Sequence, residues 1–173
     1  DTAIMPMNSG RNGDLELVVK KAGGHASNPK PPTAVGLLSQ AVAKVESHPM
    51  KTYWTPMTVE TFKSLSPYCK GAFKFILTNR DVFLKFVFTK VAPMTNALVR
   101  STFAPTMLWG SDARNVIPKE ARANINFRII TGETAQDVKA YLNKLLGDKV
   151  EVNLLTYSDP SPEADVHCTA YER

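Results

Sequence analysis

The chain has 173 residues, enough for one ordinary domain with room for an insertion, and 43% of them are hydrophobic, which permits a core without disulfides. The formal charge of +5 is spread without a Lys/Arg block or the basic stripe and aromatic platforms of a nucleic-acid surface, so nucleic acid is not expected as a partner, whereas a mildly basic surface suits anionic small molecules. No apolar run reaches the length of a membrane-spanning helix. Cys69 and Cys168 fit neither a disulfide framework nor a CxxC zinc ribbon.

From Asp14 to Lys21, Leu15, Leu17 and Val19 alternate with Glu16, Val18 and Lys20, the period of a half-buried strand. Gly23-Gly24-His25-Ala26-Ser27-Asn28-Pro29 follows as a turn-rich loop. From Thr33 to Ser47 the apolar positions Val35, Leu38, Val42 and Val45 recur at helical spacing, Ala34, Leu37 and Ala41 widen that face, and His48-Pro49 ends the helix. Residues 50–95 are rich in Phe and Lys and broken by Pro. They read as an insertion of short helices over 58–65, 68–77 and 80–90. Asn96 to Gly110 is strand-like, with Pro105 marking a bulge or a sheet edge. Glu120 to Ile130 alternates cleanly, with Ala121, Ala123, Ile125, Phe127 and Ile129 on one face and Arg122, Asn124, Asn126 and Arg128 on the other. Thr134-Ala-Gln-Asp137 has capping-box spacing before a helix carrying Val138, Tyr141, Leu142, Leu145 and Leu146, which Gly147 stops. Val150, Val152 and Leu154 alternate as a last strand, and Ser158-Asp-Pro-Ser-Pro reads as a linker. The order β-α-β-β-α-β, interrupted by the insertion, predicts an α+β, ferredoxin-like sandwich: two helices on one face of a four-stranded antiparallel sheet.

The histidines are His25, His48 and His167. A two-metal hydrolase needs several His, Asp and Glu ligands held together. No His-x-Asp and no Glu-Glu occurs, so no metal ligands are assigned to this chain, and no GxSxG elbow supports a serine nucleophile. Three polar features stand out. His25 follows two glycines in a loop directly after a strand, and reads either as an ordinary exposed histidine or as one held forward for chemistry. Asn115, before Val116-Ile117-Pro118, is either a turn residue or a ligand group. Arg128 is either a solvated sheet-face arginine or a bidentate carboxylate clamp.

Together these residues carry a resemblance. Gly23-Gly24-His25-Ala26-Ser27-Asn28-Pro29 resembles the GGHSSxP signature of the zinc-dependent aminoacylase, glutamate carboxypeptidase and carboxypeptidase S metallopeptidases (clan MH), with Ala26 in place of the commoner Ser. Asn115-Val116-Ile117-Pro118 followed by Phe127-Arg128 is similar to their NVIP…R pattern. Thr95-Asn96-Ala97-Leu98-Val99-Arg100 and the Phe-rich insertion are nearest the carboxypeptidase S and N-acyl-amino-acid hydrolase branch. The likeness runs from about Asp14 to Pro162.

The resemblance implies a single lid and dimerisation domain over residues 1–173, its two ends being joins to a catalytic domain absent from this chain. That catalytic domain would hold two zinc ions; this chain carries no metal ligand. The implied partners are the chain's own catalytic domain, a homodimer partner, and a peptide or N-acyl amino acid cleaved next to a free carboxylate. His25 would donate to the oxyanion in the partner's active site, and Asn115 and Arg128 would bind the substrate. Phe62, Phe73, Phe75, Phe83, Phe86 and Phe88 of the insertion read first as a small helical core. A fatty-acyl pocket, or with Lys70, Lys74, Lys85 and Lys90 a membrane-surface face, is the alternative. The competing function is a stand-alone ferredoxin-like module for small ligands or RNA. The absence of aromatics among Arg122, Asn124, Asn126 and Arg128 counts against RNA.

Overall fold

The computed structural model describes residues 12–52, 54–55, 58–59, 66–68, 71 and 99–158. Among them run β1 (Asn12–Lys20), β2 (Gly24–His25), α1 (Ala34–Ser47), a 3-10 turn (Ser66–Tyr68), β3 (Thr102–Trp109), β4 (Val116–Ile117), β5 (Glu120–Arg128), α2 (Ala135–Leu146) and β6 (Glu151–Tyr157). The four long strands form one antiparallel sheet in the order β3-β5-β1-β6, and β2 pairs separately with β4. Numbered by chain position alone, the sheet strands lie in the order second, third, first, fourth, so the ferredoxin-like α+β expectation holds.

Alternation decides which face is buried. Register sets Leu15 opposite Ile125, Leu17 opposite Ala123 and Val19 opposite Ala121, all fully or nearly fully buried. Ala34, Leu38, Ala41 and Val45 of α1 and Ala135, Val138 and Leu142 of α2 close over that face at helical spacing. Gly13 lies across from Phe127, whose ring sits where a Cβ would be, 2.6 Å from that position. Thr33 caps α1 by accepting from the Gly36 N–H at 3.1 Å. The expected capping box is present: Thr134 accepts from the Asp137 N–H and the Asp137 carboxylate accepts from the Thr134 N–H. Gly147 ends α2 at φ 69°, a conformation that favours glycine.

Two local expectations are corrected. The third long segment is a strand from Thr102 onward: Val99 to Ser101, expected as part of it, are not strand, and residues 96–98 lie outside the described residues. Val99 and Ser101 are instead fully buried, and the Ser101 hydroxyl accepts from the Ile130 N–H at 3.0 Å and donates to Glu133, so a side chain replaces the ladder there. Of the glycine pair before His25, Gly24 is in a strand and neither has positive φ, so the turn of this loop falls after His25, at Ala26–Ser27; positive φ falls on Gly71, Gly132 and Gly147 among the described residues. The phenylalanines of the insertion, and nearly all of the helices expected there, lie outside the described residues.

Candidate functional site

The sequence separates His25 from Asn115, and the β2–β4 ribbon joins them. Gly24 pairs with Ile117 and His25 with Val116. The Ala26 N–H donates to the Asn115 carbonyl at 2.9 Å and the Lys21 N–H to the Lys119 carbonyl at 2.8 Å, closing the ribbon at both ends. Gly23 is needed for close approach: a Cβ there would lie 2.8 Å from the Ile117 carbonyl oxygen. At Gly24 a Cβ would meet nothing within 4 Å. His25 and Asn115 are both exposed. Beyond the ribbon the chain turns back: the Asn28 N–H donates to the His25 carbonyl at 3.1 Å, and the Ser27 N–H and hydroxyl lie 3.2 and 2.8 Å from His25 Nδ1. Lys21, Arg114 and Lys119 are exposed around this end of the sheet, which suits an anion.

Arg128 is not part of this group. It is the last residue of β5, opposite Asn12 and Thr102, whereas the ribbon lies beyond the first residue, Glu120. Eight strand steps separate the two ends, about 26 Å at the usual rise. One copy of the chain therefore does not bring the three expected residues to one cleft.

Chemistry on the open sheet face distinguishes its two arginines. Arg122 is paired with Glu120 at 2.6 Å and Glu16 at 3.3 Å, and these carboxylates, Glu120 foremost, hold its guanidinium more firmly protonated than usual. Arg128 has no acidic partner among the described residues and is exposed, the condition of a guanidinium able to bind a carboxylate. Between them the Asn124 and Asn126 amides donate to Asp14 at 3.0 and 3.1 Å, and Asn124 first among them holds that carboxyl below its ordinary range. Asn124 also donates to Thr106, and Thr156 to Asp14, so a polar ladder spans all four strands. The open face of β1 and β5 carries no aromatic platform for bases.

Arg100 ends one of the stretches that carry the resemblance, but nothing in the sequence marks it as buried. It is 9% exposed, donates to the Met50 carbonyl at 3.3 Å, and has its Nε unpaired; burial lowers its pKa. Ser27 stood inside a recognisable motif, but its contact with the His25 ring depends on the turn. No group of three or more His, Cys, Asp or Glu side chains capable of holding a metal occurs among the described residues.

Comparison with known proteins agrees with this fold. The family model described as peptidase dimerisation domain matches residues 12–153. The chain is 32% identical over 156 residues to probable carboxypeptidase S-like 2 of Dictyostelium discoideum, covering 86% of this chain and 29% of that protein. It is 34% identical over 153 residues to N-fatty-acyl-amino acid synthase/hydrolase PM20D1 of Homo sapiens, covering 86% and 30%. The chain thus spans about three tenths of the length of these relatives. In fold it is similar to an M20 family metallo-carboxypeptidase from Sulfolobus solfataricus (TM-score 0.55, 15% identity, 94% of this chain and 46% of that one). It is also similar to human carnosine dipeptidase 1 (TM-score 0.52, 13% identity, 94% and 39%). With the ferredoxin-like sheet, the His25–Asn115 ribbon and the matched span together, the chain belongs to the peptidase dimerisation domain family of the M20 metallopeptidases.

Proposed function

We propose that the chain is the dimerisation and active-site lid domain of a metal-dependent amidohydrolase that cleaves N-acyl amino acids or peptides next to a free carboxylate. The separate catalytic domain of the parent would hold the metal, two zinc ions in the fullest form of the proposal. The relative named as an N-fatty-acyl-amino acid synthase/hydrolase favours an acyl amino acid over a longer peptide.

The carrying observation is the separation of Arg128 from the His25–Asn115 ribbon along β5. β3 is a sheet edge with exposed apolar groups on both of its faces: Leu108 pairs with core-facing Ala123, while Met107 and Trp109 pair with Asn124 and Arg122 of the open face. Val35 of α1 lies beside the strand end, exposed and against Gly110. A two-fold axis at such an edge pairs β3 antiparallel with its copy. That operation lays the ribbon end of one protomer beside the Arg128 end of the other. A site assembled this way takes His25 and Asn115 from one protomer and Arg128 of the partner subunit. His25 would donate to the oxyanion of the tetrahedral intermediate, and Arg128 with Asn115 would grip the substrate carboxylate.

In the parent enzyme, His25→Ala is expected to lower kcat about 100-fold, the effect of removing one oxyanion donor. Arg128→Ala is expected to raise KM for substrates with a free carboxylate. Co-expression of the two variants tests the assembly. Half the dimers are then mixed, each mixed dimer has one intact site, and activity returns to about a quarter of wild type. A mixture no more active than either variant alone would put all three groups in one protomer or outside the reaction.

A further inference from the structure

We infer that Ser27 is a positioning residue that holds the His25 ring in the tautomer whose proton is on Nε2. This rests on the reading of His25 as a hydrogen-bond donor. The Ser27 backbone N–H lies 3.2 Å from His25 Nδ1 in donor geometry. A backbone N–H only donates, so Nδ1 must present its lone pair, and a neutral imidazole then carries its proton on the distal nitrogen, Nε2. The Ser27 hydroxyl, 2.8 Å from the same nitrogen, donates to that lone pair as a second donor.

The backbone around the pair is built to keep this contact. β2–β4 pairing fixes the His25 main chain, and the His25–Asn28 turn folds Ser27 back toward Nδ1 of the ring. Ser27 is exposed and, among the described residues, makes no other hydrogen bond, ion pair or ring contact, so its side chain is not part of the core. The consequence is preorganisation. The nitrogen turned away from the turn is the one that carries a hydrogen, ready to donate where negative charge develops, with no tautomer exchange needed first.

Nitrogen-15 spectra of this chain with labelled histidine, recorded where the ring is neutral, read the proton's position directly. Wild type is expected to show a protonated Nε2 and a hydrogen-bonded, unprotonated Nδ1. Ser27→Ala keeps the backbone donor and loses the hydroxyl. Its Nδ1 resonance moves toward that of a non-bonded nitrogen, and in the parent enzyme kcat falls about fivefold at unchanged KM, the worth of one hydrogen bond. Ser27→Thr, which retains the hydroxyl, restores both. A neutral wild-type ring protonated on Nδ1 overturns the inference, as does a Ser27→Ala ring indistinguishable from wild type. Altered Ser27→Ala ring resonances together with unchanged turnover of His25→Ala would sustain the positioning role and remove His25 from the chemistry, so the two claims fail separately.

Discussion

Glu133 is half-buried, and burial raises its carboxyl above the ordinary range, against the opposing effect of the hydrogen bond from Ser101 and with a smaller contribution from Asp137. A carboxyl whose folded pKa is raised binds its proton more tightly in the folded state. Its contribution is fully present below the unfolded value of 4.5 and is lost as pH rises through the folded value. Glu133→Gln keeps an acceptor for Ser101 and cannot ionise. Urea denaturation from pH 4 to 7 is therefore expected to show the variant gaining on wild type as pH rises; a constant difference would mean the carboxyl is not perturbed. The glycines before His25 separate at the same scale. Gly23→Ala drives a Cβ against the Ile117 carbonyl and is expected to cost about 1–3 kcal/mol, whereas Gly24→Ala, with open space, stays within about 0.5 kcal/mol. Thermal melts of the two variants make the comparison.

Among the elements, α2 shows local chemistry and tertiary packing agreeing. Its capping box, its buried Ala135, Val138 and Leu142, and its Gly147 stop all follow from spacing. Thr134→Ala removes the cap and is expected to cost about 1 kcal/mol in chemical denaturation. β3 is the less regular element. Pro105 lacks an N–H, and the register shifts between Pro105 and Met107, so the strand is at once an edge and a bulge, the two options its proline left open. The proline blunts the first half of the edge, while the second half, Met107 to Trp109, keeps its donors and exposed apolar side chains. That half is where a second copy is expected to dock. Leu108→Lys, which meets its own copy near the axis, is expected to shift the parent from dimer to monomer in sedimentation. A variant that stays dimeric would direct attention to the other edge, β6.

At the scale of the molecule, the sheet order fixes what can meet what. β1 and β5 are central, so residues at opposite ends of β5 are held apart by the most rigid part of the fold. Flexing a lid cannot bring Arg128 to His25 across about 26 Å of paired strand. Only a second copy or another domain can. On the proposed pairing, dimerisation and the proposed catalytic contribution are one geometric problem, with the β3 edge as the link.

Much of this was legible without coordinates. Two-residue alternation in β1, β5 and β6 and the helical stripes of α1 and α2 name the buried faces, because side-chain direction follows backbone period; in α1 the stripe is shifted, Ala34 and Ala41 being buried with Leu38 and Val45 while Val35, expected on that face, is exposed. The caps were readable because their partners lie within a few residues. His25, Asn115 and Arg128 were identifiable as candidates by residue type and motif. Their division into a pair and a solitary arginine was not, because it depends on pairing between segments about 90 residues apart in sequence (His25 with Val116) and on the direction in which β5 runs. The burial of Arg100 and the turn that sets Ser27 beside an imidazole nitrogen were equally hidden. Local spacing encodes which face of an element meets water, but distances between remote side chains exist only once the sheet has assembled.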